Sequence, residues 1–125
     1  MIKGIGTDII DIARIKKILA GDSKKNFIAK VFTDDEIGYC ESKHFREIHY
    51  AARFAAKEAV FKALGTGYRG GMSWTDISVK NDELGKPAIE LSGKTLEHFN
   101  LKKYRSIHIS LSHTKEYAVS FVIID

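Results

Sequence analysis

An alternation of apolar and polar residues predicts a β-strand close to the start of the chain. In the stretch IKGIGTDII, residues 2–10, the strand period places Gly4, Gly6 and Asp8 on one face and Ile5 and Ile9 on the other. We expect the two glycines, which carry no side chain, to leave open space beside Asp8. The alternation returns in the second half of the chain and predicts four further strands, in DISVKN, AIEL, SIHISLS and YAVSFVII. The turn DELGKP makes the first two a hairpin, and the turn HTKE joins the last two.

A helical period of apolar residues predicts helices between these strands. Asp11 is a plausible N-cap for the first helix and Gly21 a plausible end. Its apolar stripe consists of Ile12, Ile15, Ile18 and Leu19, and its outward residues are Arg14, Lys16 and Lys17. Thr33 and Glu36 have the spacing of a capping box, which predicts a short helix that reaches to about Lys43.

The longest predicted helix runs from about Arg46 to Leu64, with Gly65 just after its C-terminal end. The glycine-rich stretch GTGYRGG that follows predicts a loop, and SGKTLEHFN predicts a last helix capped by Ser92. Helices therefore cluster in the first half of the chain and strands in the second, with one early strand to join the sheet. This order predicts an α+β fold with an antiparallel sheet packed with helices, and the length predicts a single domain over residues 1–125.

Composition and charge are those of a soluble globular protein that favours acidic partners. Hydrophobic residues make up 44% and charged residues 29% of the sequence, which excludes a disordered chain. The formal net charge of +4 favours nucleic acid, a phosphorylated ligand, an anionic membrane surface or an acidic protein, without choosing among them. Cys40 is the only cysteine, so no internal disulfide can form. Because no apolar run is long enough for a signal peptide or a membrane span, we expect a cytoplasmic protein.

Glu58 is an unusual carboxylate because the helix around it is apolar on almost every side. Its ordinary interpretation is a surface ion pair with Lys62, one helical turn later; Arg53 and Lys57 lie together on another side. The residues that flank it are Ala55, Ala56, Ala59, Val60, Phe61 and Ala63. A mostly apolar helix is buried, and a buried carboxylate needs a partner or a metal. The helix therefore marks Glu58 as a candidate site residue without identifying what it binds.

Asp8 is the second unusual carboxylate, since it lies in an apolar strand beside two glycines. It could cap the following helix, because Asp is a favoured capping residue. Alternatively, it pairs with Glu58 around Mg²⁺, which takes carboxylate oxygens and water and prefers substrate phosphates as its remaining ligands. The sequence alone leaves both interpretations open.

Other patterns suggest chemistry more weakly. The loop GTGYRG matches the letters of the dinucleotide-binding fingerprint G-x-G-x-x-G. That fingerprint opens a helix, whereas this stretch follows one, so we reject a dinucleotide site. We expect only a flexible loop whose backbone a phosphate can approach closely. Ser112 and His113 are adjacent strand residues that point to opposite faces, which favours a polar turn over a hydrolase. The other histidines lack the spacing of a zinc site. The basic stretch from Arg14 to Lys30 is either a solvated face or a docking surface for an acidic partner.

Together these pieces resemble the small holo-[acyl-carrier-protein] synthases, a class of the 4′-phosphopantetheinyl transferase superfamily. The motifs that carry the resemblance are GIGTDIIDI at residues 4–12, RFAAKEAVFKALGTG at 53–67 and SLSHTKEYAVSFVI at 110–123. The most specific element is F-x-x-K-E-x-x-x-K, from Phe54 to Lys62. The resemblance implies transfer of the 4′-phosphopantetheine arm of coenzyme A to a serine of an acidic apo acyl carrier protein. Adenosine 3′,5′-bisphosphate is then the other product, and the reaction supports fatty acid biosynthesis.

The resemblance also implies roles for individual residues. It makes Asp8 and Glu58 the ligands of a Mg²⁺ cofactor, and Lys62, one turn beyond Glu58, suits neutralisation of a phosphate or leaving group. These three residues form the expected catalytic set. The residues expected to contact coenzyme A are Lys43, Arg46, Arg53, Lys62, Gly65, Gly67 and His113. The residues expected to dock the carrier protein are Arg14, Lys16 and Lys17.

The small members of the family act as homotrimers with active sites between subunits, so the resemblance implies a homotrimer. A competing class is a nucleic-acid-binding module, for which the basic and aromatic stretch LKKYRSIH is suited. That class leaves Asp8 and Glu58 unexplained, because both repel a phosphate unless a metal intervenes. A third class is an inert trimer that binds no ligand. We expect the transferase, with neither nucleic acid nor membrane as a partner.

Overall fold

Five strands, five α-helices and a short 3₁₀ turn (Trp74–Asp76) make up the computed structural model, which describes all of residues 1–125. The strands are β1 (Gly4–Asp11), β2 (Ile77–Asn81), β3 (Pro87–Leu91), β4 (Ile107–His113) and β5 (Tyr117–Ile124). The helices are α1 (Ile12–Ala20), α2 (Lys24–Val31), α3 (Asp34–Glu41), α4 (Arg46–Leu64) and α5 (Gly93–Leu101). The α+β class with antiparallel pairing is confirmed.

The strands form two antiparallel sheets. β5 is the central strand of a three-stranded sheet in the order β1-β5-β4, while β2 and β3 form a separate hairpin. In the larger sheet Gly6 lies opposite Val122, and Asp8 lies opposite Ser120. Directly paired residues project from the same face of a sheet, so the side chains of Asp8 and Ser120 are neighbours.

Helix α4 packs across one face of the larger sheet, and Gly4 and Gly6 permit this contact. A Cβ atom on Gly6 would collide with the carbonyl oxygen of Ala59, and one on Gly4 would collide with that of Ala63. The expectation that the glycines leave open space beside Asp8 is therefore wrong, because the backbone of α4 fills that space. The missing side chains instead let the helix approach β1 closely.

The hydrophobic core lies along α4 in two clusters. The first half of the helix contributes Tyr50 and Phe54 to a cluster that also contains α1 and α2 residues. The second half contributes Phe61 and Leu64 to a cluster that contains β5 residues. Glu58 lies between these two sets in the sequence of α4. Its position on an otherwise well-packed helix is therefore at the junction of the two clusters.

Several local predictions about the helices are confirmed. The capping box is present, since the Thr33 side chain accepts from the backbone N–H of Glu36 and the Glu36 side chain accepts from that of Thr33. Helix α3 then ends at Glu41, slightly before the expected Lys43. Gly65 ends α4 with a φ of 75°, in the left-handed region that glycine favours.

Two helical features differ from the sequence prediction. Helix α2 was not expected, although Ser23 stands at its N-cap position; the Ser23 side chain makes no capping hydrogen bond. At α5 the hydroxyl of Ser92 makes no capping bond to the helix. Asp76 supplies the cap instead, because its Oδ2 accepts from the N–H of Thr95 at 3.3 Å and from its hydroxyl at 2.9 Å. None of the helices has the combination of length and apolar character that a membrane span requires.

A buried ion pair ties α3 and α4 to β2. The Nζ atom of Lys57 lies 2.7 Å from Oε1 of Glu36, and both side chains are fully buried. Lys57 also donates to the carbonyl oxygens of Trp74 and Ile77 at 3.1 and 2.5 Å, and Oε2 of Glu36 accepts from the N–H of Val79 at 2.9 Å. Lys57 is therefore a structural residue of the interior.

The face of the larger sheet opposite α4 is open to solvent and partly apolar. Ile5 and Ile9 of β1 are each 62% exposed, and Phe121 of β5 is 50% exposed. Tyr117 extends the same face, since it alternates with buried residues along β5. We call Ile5, Ile9, Tyr117 and Phe121 the outer apolar face.

Candidate functional site

Asp8 and Glu58 form a pair of carboxylates at the contact between β1 and α4. The Asp8 side chain is only 14% exposed, and its Oδ2 atom is buried without a hydrogen-bond partner. Glu58 is half-buried on α4. Burial raises the pKa of Glu58 above its ordinary value, and the negative charge of Asp8 raises it further. The two carboxylates are therefore close enough for their charges to interact.

Lys62 neutralises this pair through Asp8. Its Nζ atom lies 2.9 Å from Oδ1 of Asp8 and donates to the carbonyl oxygen of Thr7 at 3.0 Å. No ion pair joins Lys62 to Glu58, so the ordinary interpretation of these two residues as a surface ion pair is wrong. Lys62 does lower the pKa of Glu58, which shows that its charge also acts on that carboxylate. The side chain of Lys62 is 53% exposed and can leave Asp8 without unfolding the chain.

The arrangement fits a hard divalent cation. Oδ2 of Asp8 is a buried acceptor without a donor, and Glu58 is a carboxylate without an ion-pair partner. Such oxygens are the ligands that Mg²⁺ prefers. No group of three or more His, Cys, Asp or Glu side chains is assembled in the protein. Two carboxylates can supply only part of a coordination shell, which leaves room for water and for ligand oxygens.

The basic face of α1 lies beside this carboxylate pair. Arg14, Lys16 and Lys17 are exposed, as expected, while Ile12 and Ile15 are buried. The positive charge of Arg14 lowers the pKa of Glu58, against the larger effect of burial. Asp11 rather than Asp8 caps the helix, because its Oδ1 accepts from the N–H of Ala13 at 3.0 Å. Asp8 therefore has no capping role.

A second group of the expected residues lines a cleft between α4, the β2–β3 hairpin and the end of β4. Arg53 is buried at 3% exposure and donates to Oδ1 of Asn81 at 2.6 Å, with its guanidinium 4.0 Å from the centre of the Tyr39 ring. Its Nε atom has no partner. His113 and His49 line the same cleft. Burial and then the charge of Arg53 lower the pKa of His49, so this imidazole is neutral at pH 7.

Lys43 and Arg46 lie near this cleft, at the junction of α3 and α4. The Nζ atom of Lys43 is 4.7 Å from the centre of the Tyr39 ring, so Lys43 and Arg53 contact the same aromatic side chain. Arg46 is bound to Glu41 at 2.8 Å, and both side chains are about one-third exposed. The Arg46 guanidinium therefore already has one anionic partner within the chain.

Gly65 and Gly67 lie at the opposite end of α4. Both have positive φ angles, of 75° and 63°, and begin the loop after the helix. The helix from Arg46 to Leu64 has 19 residues, so its ends are roughly 28 Å apart. A single copy of the chain thus brings Asp8, Glu58 and Lys62 together but holds Lys43 and Arg46 far from Gly65 and Gly67.

The strand end at Ser112 and His113 has the geometry expected from the sequence. Ser112 lies opposite Val119 and His113 opposite Ala118, so the two side chains project from opposite faces of the sheet. No hydrogen bond joins the two side chains, as the sequence argument against a hydrolase requires.

Two polar residues near the carboxylates were missed at the sequence level. Thr7 accepts from Lys62 through its carbonyl oxygen, and its hydroxyl donates to the carbonyl oxygen of Ser120 at 3.0 Å. Ser120 is fully buried, and its hydroxyl has no partner. A signal for Ser120 exists in the sequence, since it is the one hydroxyl at an inward position of the apolar strand YAVSFVII. No comparable signal exists for the backbone contact of Thr7.

The chain is similar in sequence and in structure to known proteins. The family model described as the 4′-phosphopantetheinyl transferase superfamily matches residues 4–122. Over 125 residues the chain is 50% identical to a holo-[acyl-carrier-protein] synthase of Clostridium tetani, covering all of this chain and 97% of that protein. The solved synthase of Neisseria meningitidis matches with a TM-score of 0.90 at 32% identity, over 100% and 99% of the two chains. The synthase of Helicobacter pylori, solved in complex with coenzyme A, matches with a TM-score of 0.84 at 33% identity. The match covers 97% of this chain and 99% of that one.

Proposed function

The chain belongs to the 4′-phosphopantetheinyl transferase superfamily, and from that premise we propose that it is a holo-[acyl-carrier-protein] synthase. It transfers the 4′-phosphopantetheine group of coenzyme A to a serine of an apo acyl carrier protein and releases adenosine 3′,5′-bisphosphate. The observation that carries this proposal within the structure is the carboxylate pair of Asp8 and Glu58, with an orphaned oxygen and a neighbouring lysine. In fatty acid biosynthesis, such a reaction prepares the carrier for acyl chains.

Asp8 and Glu58 hold a Mg²⁺ ion in this proposal. The ion would neutralise the pyrophosphate of coenzyme A and orient it, since phosphoryl transfer depends chiefly on positioning and charge stabilisation. The support is chemical: both groups are carboxylates, their charges interact, and Oδ2 of Asp8 lacks a donor. Without the ion these two negative charges would repel the pyrophosphate.

The positively charged ammonium group of Lys62 can turn from Asp8 to a phosphate of the substrate. In this structure the ammonium neutralises Asp8 at 2.9 Å. A cation bound by Asp8 would release that ammonium, and its exposed position lets it turn to a phosphate oxygen. Lys62 then stabilises the negative charge that develops on the leaving adenosine 3′,5′-bisphosphate.

The cleft with Arg53, His113 and Lys43 is proposed to bind the nucleotide end of coenzyme A. Arg53 lines the cleft with its positive charge, and Lys43 adds a second positive charge beside the Tyr39 ring. Arg46 would release Glu41, with which it forms an exposed ion pair, and would bind the nucleotide end of coenzyme A instead. At the other end of α4, Gly65 and Gly67 expose backbone that the pyrophosphate and pantetheine arm can approach.

The separation of these two groups along α4 supports a site shared between copies of the chain. One copy of the chain would have to hold both ends of a single coenzyme A molecule across a helix roughly 28 Å long. The outer apolar face, with Ile5 and Ile9 at 62% exposure, offers a surface that association would bury. We propose a homotrimer in which Asp8, Glu58 and Lys62 of one copy face the Arg53 cleft of the next.

The acidic carrier protein is proposed to dock on α1. Arg14 is exposed and close enough to Glu58 to act on its pKa, so a carrier bound at Arg14 would bring its serine to the metal site. Lys16 and Lys17 extend the positive surface. The carboxylate pair distinguishes this function from that of a nucleic-acid-binding module.

The test of the proposed function is the release of adenosine 3′,5′-bisphosphate from coenzyme A, followed by chromatography. Release is expected only when Mg²⁺ and an apo acyl carrier protein are both present. Nucleic-acid binding with a steep dependence on salt, and no release under these conditions, would favour the competing class.

A further inference from the structure

Ser120 is the only fully buried hydroxyl on the face of the larger sheet that packs against α4, and it has no hydrogen-bond partner. The acceptor atom Oδ2 of Asp8 is also buried and also has no hydrogen-bond partner. Buried polar groups almost always form hydrogen bonds, so two neighbouring buried groups without a partner need a physical explanation. Their positions supply it, because Asp8 and Ser120 lie directly opposite each other on β1 and β5.

The two orphans are chemically complementary. A carboxylate oxygen accepts hydrogen bonds, and a serine hydroxyl can donate one. Directly opposed strand residues have Cβ atoms about 5 Å apart, which a hydroxyl and a carboxylate can span directly after a side-chain rotation or through one water. Oδ1 of Asp8 is already bound to Lys62 at 2.9 Å, so Oδ2 is the oxygen left for Ser120. A carboxylate oxygen has two lone pairs, so Oδ2 can accept from Ser120 and still serve a cation.

We propose that Ser120 is a positioning residue that orients the Asp8 carboxylate for a divalent cation by donating its hydroxyl hydrogen to Oδ2. This inference rests on the metal site proposed above. With Lys62 turned away from Asp8, as a bound cation would require, the carboxylate would lack the hydrogen bond that fixed its orientation, and the Ser120 hydroxyl would supply one in its place. Hydrogen bonds from outside the coordination shell orient metal-binding carboxylates in this way, and their loss weakens metal affinity about 10- to 100-fold.

A structural role for Ser120 predicts a different result from a positioning role. If the hydroxyl only supported the fold, its removal would destabilise the metal-free protein. Because the hydroxyl is unpartnered there, Ser120→Ala should leave the metal-free protein as stable as the wild type or more stable. The Ser120 hydroxyl therefore lowers the free energy of unfolding of the metal-free protein, and it raises the affinity of the site for the metal.

The experiment measures the binding of Mn²⁺, which takes the same oxygen ligands as Mg²⁺ and whose free ion is quantified by electron paramagnetic resonance. The metal alone is titrated into the full chain, without coenzyme A or carrier protein. Ser120→Ala, which removes the hydroxyl, should raise the Kd for Mn²⁺ about tenfold. Ser110→Ala, an exposed serine on β4, is the matched control and should leave the Kd unchanged. Thermal unfolding of each metal-free variant is recorded in parallel.

Two outcomes would overturn the inference while leaving the metal site intact. One is an unchanged Kd in Ser120→Ala when Asp8→Ala abolishes binding. The other is a lower unfolding temperature of metal-free Ser120→Ala, which would mean that the hydroxyl already has a structural partner. If Asp8→Ala bound Mn²⁺ as tightly as the wild type, the metal site itself would be wrong and the role of Ser120 would be rejected with it.

Discussion

The ammonium group of Lys62 lies 2.9 Å from Oδ1 of Asp8, fifty-four positions away in the sequence, and forms no ion pair with Glu58 on its own helix. This contact places a movable positive charge at the point where β1 meets α4. It also explains how two carboxylates can lie close together in this structure. The catalytic role proposed for Lys62 depends on its release from Asp8.

Lys62→Ala should reduce turnover strongly, because Lys62 is the lysine whose ammonium contacts the carboxylate pair, at Asp8. We expect a loss of roughly 100-fold in kcat, the usual effect of removing one group that stabilises transition-state charge. Lys80→Ala is the matched control, since Lys80 also pairs with surface carboxylates but lies on β2. Steady-state kinetics of both variants would reject the role of Lys62 if the two lost activity equally. Lys57, the other lysine of the motif, is an unsuitable control because it is buried.

Lys57→Met should destabilise the protein, since it leaves the carboxylate of Glu36 buried without its ion-pair partner. The expected loss is about 3–5 kcal/mol in the free energy of unfolding, measured by chemical denaturation. Adding Glu36→Gln removes the uncompensated charge and should restore part of the stability, since the amide oxygen keeps only one of the two hydrogen bonds that the carboxylate accepts from Thr33 and Val79. A single Lys57→Met variant as stable as the wild type would show that the pair does not hold α3, α4 and β2 together.

Arg14→Glu should raise the KM for the carrier protein and leave that for coenzyme A nearly unchanged. The reason is that an acidic carrier is attracted to the exposed basic face of α1, and charge reversal repels it. The effect should shrink at higher ionic strength, because exposed charges are screened over about 10 Å at 0.1 M salt. Lys102→Glu, the same charge change at the end of α5, is the control. A carrier KM equal to that of the wild type at low salt would make α1 only a solvated surface.

Phe121→Asp should convert the proposed trimer into monomers, since it places a charge in the outer apolar face. Size-exclusion chromatography with light scattering gives the mass of each species. Leu84→Asp, at a hairpin tip that is 96% exposed, is the control and should not change the assembly. A wild-type chain that is monomeric at assay concentrations, yet fully active, would contradict a site shared between copies.

Much of the fold could be predicted from local sequence patterns. The capping box at Thr33 and the glycine after α4 are local signals, and both elements form as expected. Helix α2 was missed although its sequence carries a local signal, with Ser23 at the N-cap position and Phe27, Ile28 and Val31 spaced as a short apolar stripe. Its formation depends on packing against the first core cluster, which includes Val31.

The contacts of the site were less predictable than its members. Asp8 and Glu58 were identified because carboxylates are unusual in apolar elements. The partner of Lys62 could not be derived from α4 alone, because it comes from a strand that the fold brings alongside. The glycines of β1 were misinterpreted for the same reason, since only the packed structure shows that the backbone of α4 fills the space beside them. Glu36 was recognised as a capping residue, but its pairing with Lys57 depends on tertiary structure.

The most direct test of the central claim is the mass of an apo acyl carrier protein after incubation with this chain, coenzyme A and Mg²⁺. Mass spectrometry should show that the carrier gains the mass of one 4′-phosphopantetheine group, and a fragment spectrum should locate it on a serine. Removal of Mg²⁺ with a chelator, or the variants Asp8→Ala and Glu58→Ala, should leave the carrier unmodified while the variants remain folded. A carrier that gains no mass with the wild-type chain, or that is modified equally by the Asp8→Ala and Glu58→Ala variants, would contradict the account.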